Sequence, residues 1–163
     1  MIDFEVGGLK NVGFCRRLSP NSLCKREPDM PFFHKESGAL CFADGLNLYA
    51  SMPPEALPLE AKRSGSLCLA PRAVRGGELA AMLLMGSEGL CGVVLTAPTV
   101  GGRAEPDAGR QRAFLFDKLH LRDPWPDTWR SVRVRCPFGE ILISSDPYTG
   151  GASARLTYAE RKA

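Results

Sequence analysis

"LCGVVLTA", residues 90–97, is a nearly continuous apolar run that is rich in β-branched residues. Such a run is typical of a buried strand in the middle of a sheet. It predicts that the core of this protein is built around a β-sheet. The segments on either side of the run indicate which kind of sheet this is.

Short apolar or alternating segments recur along the chain, with turn residues between them. Residues 39–43 and 46–51 flank Asp44-Gly45, a dipeptide that favours a tight hairpin turn. Strict alternation in "SVRVRC" (131–136) predicts a strand with one buried and one exposed face. The other candidate strands bring the total to about nine or ten; they are residues 1–6, 11–18, 65–71, 113–121, 140–144 and 154–159.

These strands follow one another with little helix between them, so the pairing should be mostly antiparallel. We therefore expect a mainly β fold, an antiparallel sandwich or a partly closed barrel. One short helix is expected at about residues 77–85, within "GGELAAMLLMG" (76–86). In that segment Leu79, Met82 and Leu83 lie near one helical face, and Gly86 can end the helix.

The length of 163 residues fits a single domain covering residues 1–163. The 17 glycines and 13 prolines indicate many turns. Exposed loops are expected at about 19–31 and 98–112, which are rich in proline, glycine and polar residues. Long loops in compact domains are usually functional or mobile, so we expect residues 98–112 to be a mobile contact surface.

Charge and hydropathy exclude several functional classes. A net charge of +3 is too small to indicate nucleic-acid binding by itself. The N-terminus has no apolar stretch of the secretory kind, and the longest apolar run, residues 79–85, is far below the ~20 residues of a membrane helix. We expect a protein without a membrane partner that stays in the cytoplasm or is packaged into a particle.

Six cysteines are spread widely along the chain. Eight residues separate Cys15 from Cys24, whereas paired zinc ligands are usually two to four residues apart. The pattern therefore predicts reduced cysteines with no metal and no cofactor. Four cysteines within apolar strands should behave as buried hydrophobes: Cys41, Cys68, Cys91 and Cys136. A reactive thiol at Cys15, beside two arginines, is the alternative for that residue.

An enzymatic hypothesis rests on the acidic and aromatic segment around His120. A small hydrolase or transferase would use Asp117, His120 and Asp127 for acid–base chemistry. Turn-forming aspartates in a Pro/Trp corner explain the same residues without catalysis. The sequence has neither a nucleophile elbow nor a phosphate-binding P-loop motif, which favours a non-enzymatic protein.

Basic residues supply two candidate binding surfaces. The first surface would bind an acidic protein surface; its residues are Arg16, Arg17, Lys25 and Arg26, together with Arg103 and Arg110 of the 98–112 segment. The second is an arginine-rich strand face that would contact nucleic-acid phosphates; its residues are Arg130, Arg133 and Arg135.

The function predicted first is protein binding without catalysis, in an accessory, inhibitory or particle-forming protein of a phage, virus or mobile element. Compact β-structure with long Gly/Pro loops is suited to presenting contact surfaces. A nucleic-acid-binding β-domain is the first alternative, and the small hydrolase or transferase is the second.

Overall fold

The computed structural model describes residues 31–58, 60, 67–145 and 151–160. This part of the chain is mainly β, as the sequence predicted, and it contains nine strands and one α-helix. The strands are β1 (Leu40–Cys41), β2 (Asn47–Leu48), β3 (Cys68–Val74), β4 (Gly77–Gly86), β5 (Gly89–Val100), β6 (Arg103–Ala104), β7 (Val132–Cys136), β8 (Gly139–Ser145) and β9 (Ala152–Tyr158). The helix is α1 (Ala108–Lys118), and a single 3₁₀ turn spans Pro54–Ala56.

Seven strands form one antiparallel sheet, which does not close into a barrel. Its order is β3-β4-β5-β9-β8-β7, with the short β6 paired to β5. Apart from β6, the sheet consists of two three-stranded meanders, and α1 lies between them in the chain. β1 and β2 form a separate antiparallel pair across the Asp44-Gly45 turn, which confirms the predicted hairpin.

The central position predicted for "LCGVVLTA" is confirmed, because it forms most of β5 between β4 and β9. Val93, Leu95 and Ala97 alternate along one face of this strand and are fully buried. The residues between them point to the other face, where Val94 is half-buried and Thr96 is exposed. The strand is therefore central within the sheet, but it is deeply buried on only one side.

The helix predicted at 77–85 is wrong, since this segment is β4. Leu79, Ala81 and Leu83 are buried at a spacing of two, and Met82 between them is exposed. β4 pairs along its whole length with β5 and also with β3. A helix of three turns is marginal by itself, so pairing on both edges outweighs the helix propensity of alanine, leucine and methionine.

The helix lies instead where a loop and a strand were predicted. Of the predicted loop 98–112, residues 98–100 belong to β5, 103–104 to β6 and 108–112 to α1. The predicted strand 113–121 is mostly the second half of α1. The Asp107 side chain caps the helix by accepting a hydrogen bond from the Arg110 N–H at 3.0 Å. The predicted strands 1–6 and 11–18 lie outside the described residues, as does the predicted loop 19–31 except for Pro31.

One face of the sheet is covered by α1 and by the segment 31–58. Phe114, Leu115 and Phe116 of the helix belong to the same buried cluster as β5, β8 and β9. On the other side of the cluster, Phe33 packs edge-on against Phe138 with ring centroids 5.9 Å apart. The Tyr158 hydroxyl donates a hydrogen bond to the Gly38 carbonyl at 3.0 Å.

The turn between β7 and β8 gives a test of this packing. Gly139 has φ +149°, and a Cβ atom there would lie 2.0 Å from the Thr157 carbonyl oxygen of β9. We expect Gly139→Ala to lower the free energy of unfolding by about 1–2 kcal/mol for backbone strain, and by ~1–3 kcal/mol more for the clash. Urea unfolding measures the difference.

Gly101→Ala is the matched control, because Gly101 also has positive φ but has open space around its Cβ position. Gly101→Ala should lower the free energy of unfolding only by the contribution from backbone strain. Equal losses for the two variants would show that β8 and β9 can separate at Gly139 without a steric cost.

Candidate protein-binding surface

A buried arginine on α1 organises the surface that follows the helix. Arg112 is only 2% exposed, yet it lies on the helix face that also carries Leu115 and Phe116. Its Nε and Nη2 donate hydrogen bonds to the Asp123 carboxylate at 2.7 and 2.9 Å. Its Nη1 donates to the Arg130 carbonyl at 2.6 Å. The guanidinium therefore fixes both ends of residues 122–131, here called the tryptophan loop.

Further hydrogen bonds hold the interior of the tryptophan loop. The Trp125 N–H donates to the Asp123 carboxylate at 3.0 Å. The Thr128 N–H donates to the Trp125 carbonyl at 3.1 Å. Bonding to Arg112 lowers the pKa of Asp123, and the Trp125 N–H acts in the same direction. The carboxylate is thus kept charged, and the loop has a defined conformation.

The tryptophan loop displays its two indole rings to solvent. Trp125 is 44% exposed and Trp129 is 49% exposed. The Arg130 guanidinium carbon lies 5.7 Å from the Trp125 ring centroid, and the Arg112 guanidinium carbon lies 5.7 Å from that of Trp129. Cation–π contacts of this kind hold the rings in place. The protein therefore presents two large aromatic side chains at fixed positions.

The arginine-rich strand face begins where the tryptophan loop ends. Arg133 and Arg135 are exposed on β7, whereas Val132, the first residue of the same strand, is buried in the core. Arg133 forms an exposed ion pair with Glu140 of β8 at 3.5 Å. Arg135 forms no ion pair with any residue that the structure describes. Of the three predicted nucleic-acid contacts, Arg130 lies against the Trp125 ring, while Arg133 and Arg135 project from β7 on the face opposite the buried Val132.

The other predicted protein-binding residues are not gathered at this surface. Arg103 lies exposed on β6, and Arg110 lies in the first turn of α1 with its side chain 75% exposed. Arg110 is 3.7 Å from Glu105, a weak surface pair. The remaining four, Arg16, Arg17, Lys25 and Arg26, lie outside the described residues, as does Cys15.

The residues of the enzymatic hypothesis lie at the end of α1 and in the tryptophan loop, and the His120 N–H donates a hydrogen bond to the Asp117 carbonyl at 3.1 Å. Asp117 is exposed and pairs with Lys118 at 3.3 Å, while Asp127 is exposed within the tryptophan loop. His120 is exposed just beyond α1 with φ +52°. The carboxylate with a buried cationic partner is Asp123, whose role in the structure is to hold Arg112.

The cysteines differ in part from expectation. Cys41, Cys68, Cys91 and Cys136 are free thiols. Cys41 is buried, but Cys68 and Cys91 are exposed, so the prediction that these two are buried is wrong. Cys68 lies on β3 and Cys91 on β5, in the meander formed by β3, β4 and β5, whose strands are deeply buried on one face only. In the described ranges no group of three or more His, Cys, Asp and Glu side chains is placed to hold a metal ion.

Sequence reasoning missed Arg112, the residue on which the surface depends. The signal is its position three and four residues before Leu115 and Phe116, on the apolar face of a helix. That signal is visible only once residues 108–118 are recognised as helical. Its partners lie 11 and 18 residues further along the chain, too far for a local pattern to indicate them.

The chain matches no protein-family model, no curated protein and no solved structure. None of the helices that the structure describes is long and apolar enough to cross a membrane.

Replacing Arg112 tests the organising role of the buried ion pair. Arg112→Met keeps much of the side-chain volume but leaves the Asp123 carboxylate without its cation. We expect a loss of about 3–5 kcal/mol in the free energy of unfolding, the usual effect of breaking a buried pair from one side. The chain has two tryptophans, both in the loop, so indole fluorescence anisotropy should fall as the loop loosens.

Arg110→Met is the matched control, because it removes an exposed arginine two residues away on the same helix. It should change stability by no more than about 0.5 kcal/mol. Similar unfolding curves for the two variants would contradict the organising role of Arg112.

The histidines give a prediction about pH. Burial lowers the pKa of His34, and the nearby His120 lowers it further. The folded state disfavours protonated His34. Neutral His34 therefore makes its full contribution to stability above the ordinary pKa of 6.5, and this contribution is lost as the pH falls below that value. Urea unfolding should therefore give a smaller free energy at about pH 5 than at about pH 7.5.

His34→Gln should reduce this pH dependence, and His120→Gln should reduce it less. These are the two histidines in the whole chain, so few other side chains titrate in that window. An unchanged pH dependence in His34→Gln would contradict the assignment.

Proposed function

We propose that this chain is a non-enzymatic protein that acts by binding another protein through the tryptophan loop. The observation that carries the proposal is the exposed pair Trp125 and Trp129, held by the buried Arg112–Asp123 pair. Tryptophan and arginine are the residues most enriched among those that dominate interface energies. Rings that are already fixed lose little conformational entropy on binding, which favours affinity.

The charges around the loop indicate the kind of partner. Arg122, Arg130 and Arg135 are exposed and lack carboxylate partners among the described residues, whereas Asp123 is neutralised by Arg112. Arginine next to exposed indole rings suits a partner surface that combines carboxylates with apolar side chains. The partner class that fits is therefore a protein with an acidic surface.

Single-stranded nucleic acid is the second candidate, because the same surface combines aromatic rings with arginines. Bases stack on such rings, and arginines contact the phosphates. Glu140 pairs with Arg133 at 3.5 Å, and its carboxylate would repel phosphates. This local compensation and the small net charge of +3 favour the protein partner.

Capture of partners from the source cell, with and without the two indole rings, tests the proposal. A double variant, Trp125→Ala with Trp129→Ala, should lose a captured protein that the wild type retains after nuclease treatment. Titration with that protein should then show at least about a 30-fold weaker Kd, the size expected for loss of two dominant side chains.

Met82→Ala is the control, because Met82 is the other large apolar side chain exposed in the described structure, at 42%. It should leave the Kd within about twofold, since it lies on β4 away from the tryptophan loop. Capture that survives in the double variant would refute the proposal. Capture that disappears with nuclease and weakens steeply with salt would favour nucleic acid.

A further inference from the structure

Among the strands that the structure describes, β7 lies at one end of the seven-stranded sheet and pairs with β8 alone. Its register with β8 runs without a break from Val132↔Ile143 to Cys136↔Gly139. A two-residue turn, Pro137-Phe138, joins the two strands, and the residues that flank such a turn normally form a hydrogen-bonded pair.

The direction of the backbone groups follows from this turn. The Phe138 carbonyl accepts a hydrogen bond from the Ala159 N–H at 2.8 Å, on the side of β9. Successive residues of a strand direct their backbone groups to opposite edges, so Gly139 faces Cys136 of β7. Along β7 the alternation leaves the N–H and C=O groups of Arg133 and Arg135 on the outer edge.

The opposite end strand of the same sheet is protected against further pairing. β3 contains Pro71 and has an irregular register between Leu69 and Arg72. The Ala73 carbonyl accepts a hydrogen bond from the Ala43 N–H at 3.1 Å. Proline, a bulge and a covering segment are the usual devices that block an exposed edge. β7 has none of them within the part of the chain that the structure describes.

We propose that the outer edge of β7 binds an extended acidic segment of the partner protein as an additional strand of the sheet. This inference rests on the proposed function and specifies how the partner is held. Backbone groups of Arg133 and Arg135 supply the main-chain hydrogen bonds, as in other complexes formed by strand addition. Side chains at alternate positions of the bound segment supply specificity.

The two arginine side chains determine the charge of the bound segment. They project on one face of β7, so every second residue of an added strand lies beside them. Carboxylates at those positions form cross-strand pairs with Arg133 and Arg135. A second copy of β7, paired antiparallel about a two-fold axis, would place arginine beside arginine, which is destabilising. The occupant is therefore an acidic strand of a different protein.

The tryptophan loop supplies an apolar anchor at one end of this edge. Trp129 lies three residues before Val132, where β7 begins. An added strand that runs along β7 can continue past Val132 toward residues 129–131, which precede β7 in the chain. An apolar residue at that position would pack on Trp129, while the carboxylates pair with the arginines.

A proline substitution on the outer edge separates the backbone contribution from the side-chain contribution. Arg135→Pro and Arg135→Ala both remove the guanidinium, but only proline removes the outward N–H. Proline is tolerated at edge positions whose N–H does not pair within the sheet, so both variants should unfold at similar temperatures. The probe is a synthetic peptide of seven residues that alternates glutamate and valine, with its lysine–valine counterpart as the charge control.

Titration of the full chain labelled with ¹⁵N should show the acidic peptide shifting the amide resonances of Arg133, Arg135 and Trp129. The affinity should fall at least about tenfold further in Arg135→Pro than in Arg135→Ala, the size of one lost hydrogen bond. In the wild type, amide exchange at Arg133 and Arg135 should be fast without peptide and slow with it. This exchange measurement stands even if Arg135→Pro fails to fold.

Several results would overturn strand addition at β7. The first is that Arg135→Pro and Arg135→Ala bind the acidic peptide with equal affinity, or that the acidic peptide does not bind the wild type at all. The second is that the lysine peptide or oligo-dT binds at the amides of Arg133 and Arg135. The third is that both amides exchange slowly in the free protein. If the double tryptophan variant loses its captured partner while Arg135→Pro and Arg135→Ala retain it equally, the proposed function stands and strand addition fails. If tryptophan loss has no effect on capture, the proposed function itself fails.

Discussion

The placement of one guanidinium in the apolar core of this protein controls the surface that follows it. Burying an unpaired arginine would cost several kcal/mol, so Arg112 is tolerated only because Asp123 and the Arg130 carbonyl satisfy its donors. Those partners lie at the two ends of the tryptophan loop. A surface segment thus supplies the hydrogen-bond acceptors that a buried side chain needs. The same hydrogen bonds fix the conformation of that segment.

The single-sided burial of the sheet explains which residues are available for binding. Alternation along β5, β8 and β9 sends one set of side chains beneath α1 and the segment 31–58. The other set faces outward, and at the β7 end it is arginine-rich, with Glu140 as the adjoining carboxylate. The residues of the proposed binding surface and those of the core therefore alternate along the same strands with the two-residue period.

The sequence predicted the sheet well wherever a strand shows the two-residue period or an uninterrupted apolar run. This applies to residues 90–97, to the hairpin at Asp44-Gly45 and to β7 with β8. The prediction was wrong for 76–86, where a helix was expected and a strand forms, and for 108–118, where the end of a loop and a strand were expected and a helix forms. Leu79, Ala81 and Leu83 fit the two-residue period, but the alanines, leucines and methionines of 76–86 also have high helix propensity, and pairing partners distant in sequence decide between the two.

The proposed binding surface was harder to predict from the sequence than the sheet, because it also depends on contacts between residues that are distant in the chain. The exposed arginines of β7 follow from alternation, but the fixed indole rings depend on contacts between α1 and residues 123 and 130. Two half-exposed tryptophans and an edge strand that the described residues leave uncovered would normally favour self-association. Arg133 and Arg135 oppose pairing between identical copies because like charges would then face each other. The same charges favour the acidic strand that we propose as the partner, so one feature would both disfavour self-pairing and select that partner.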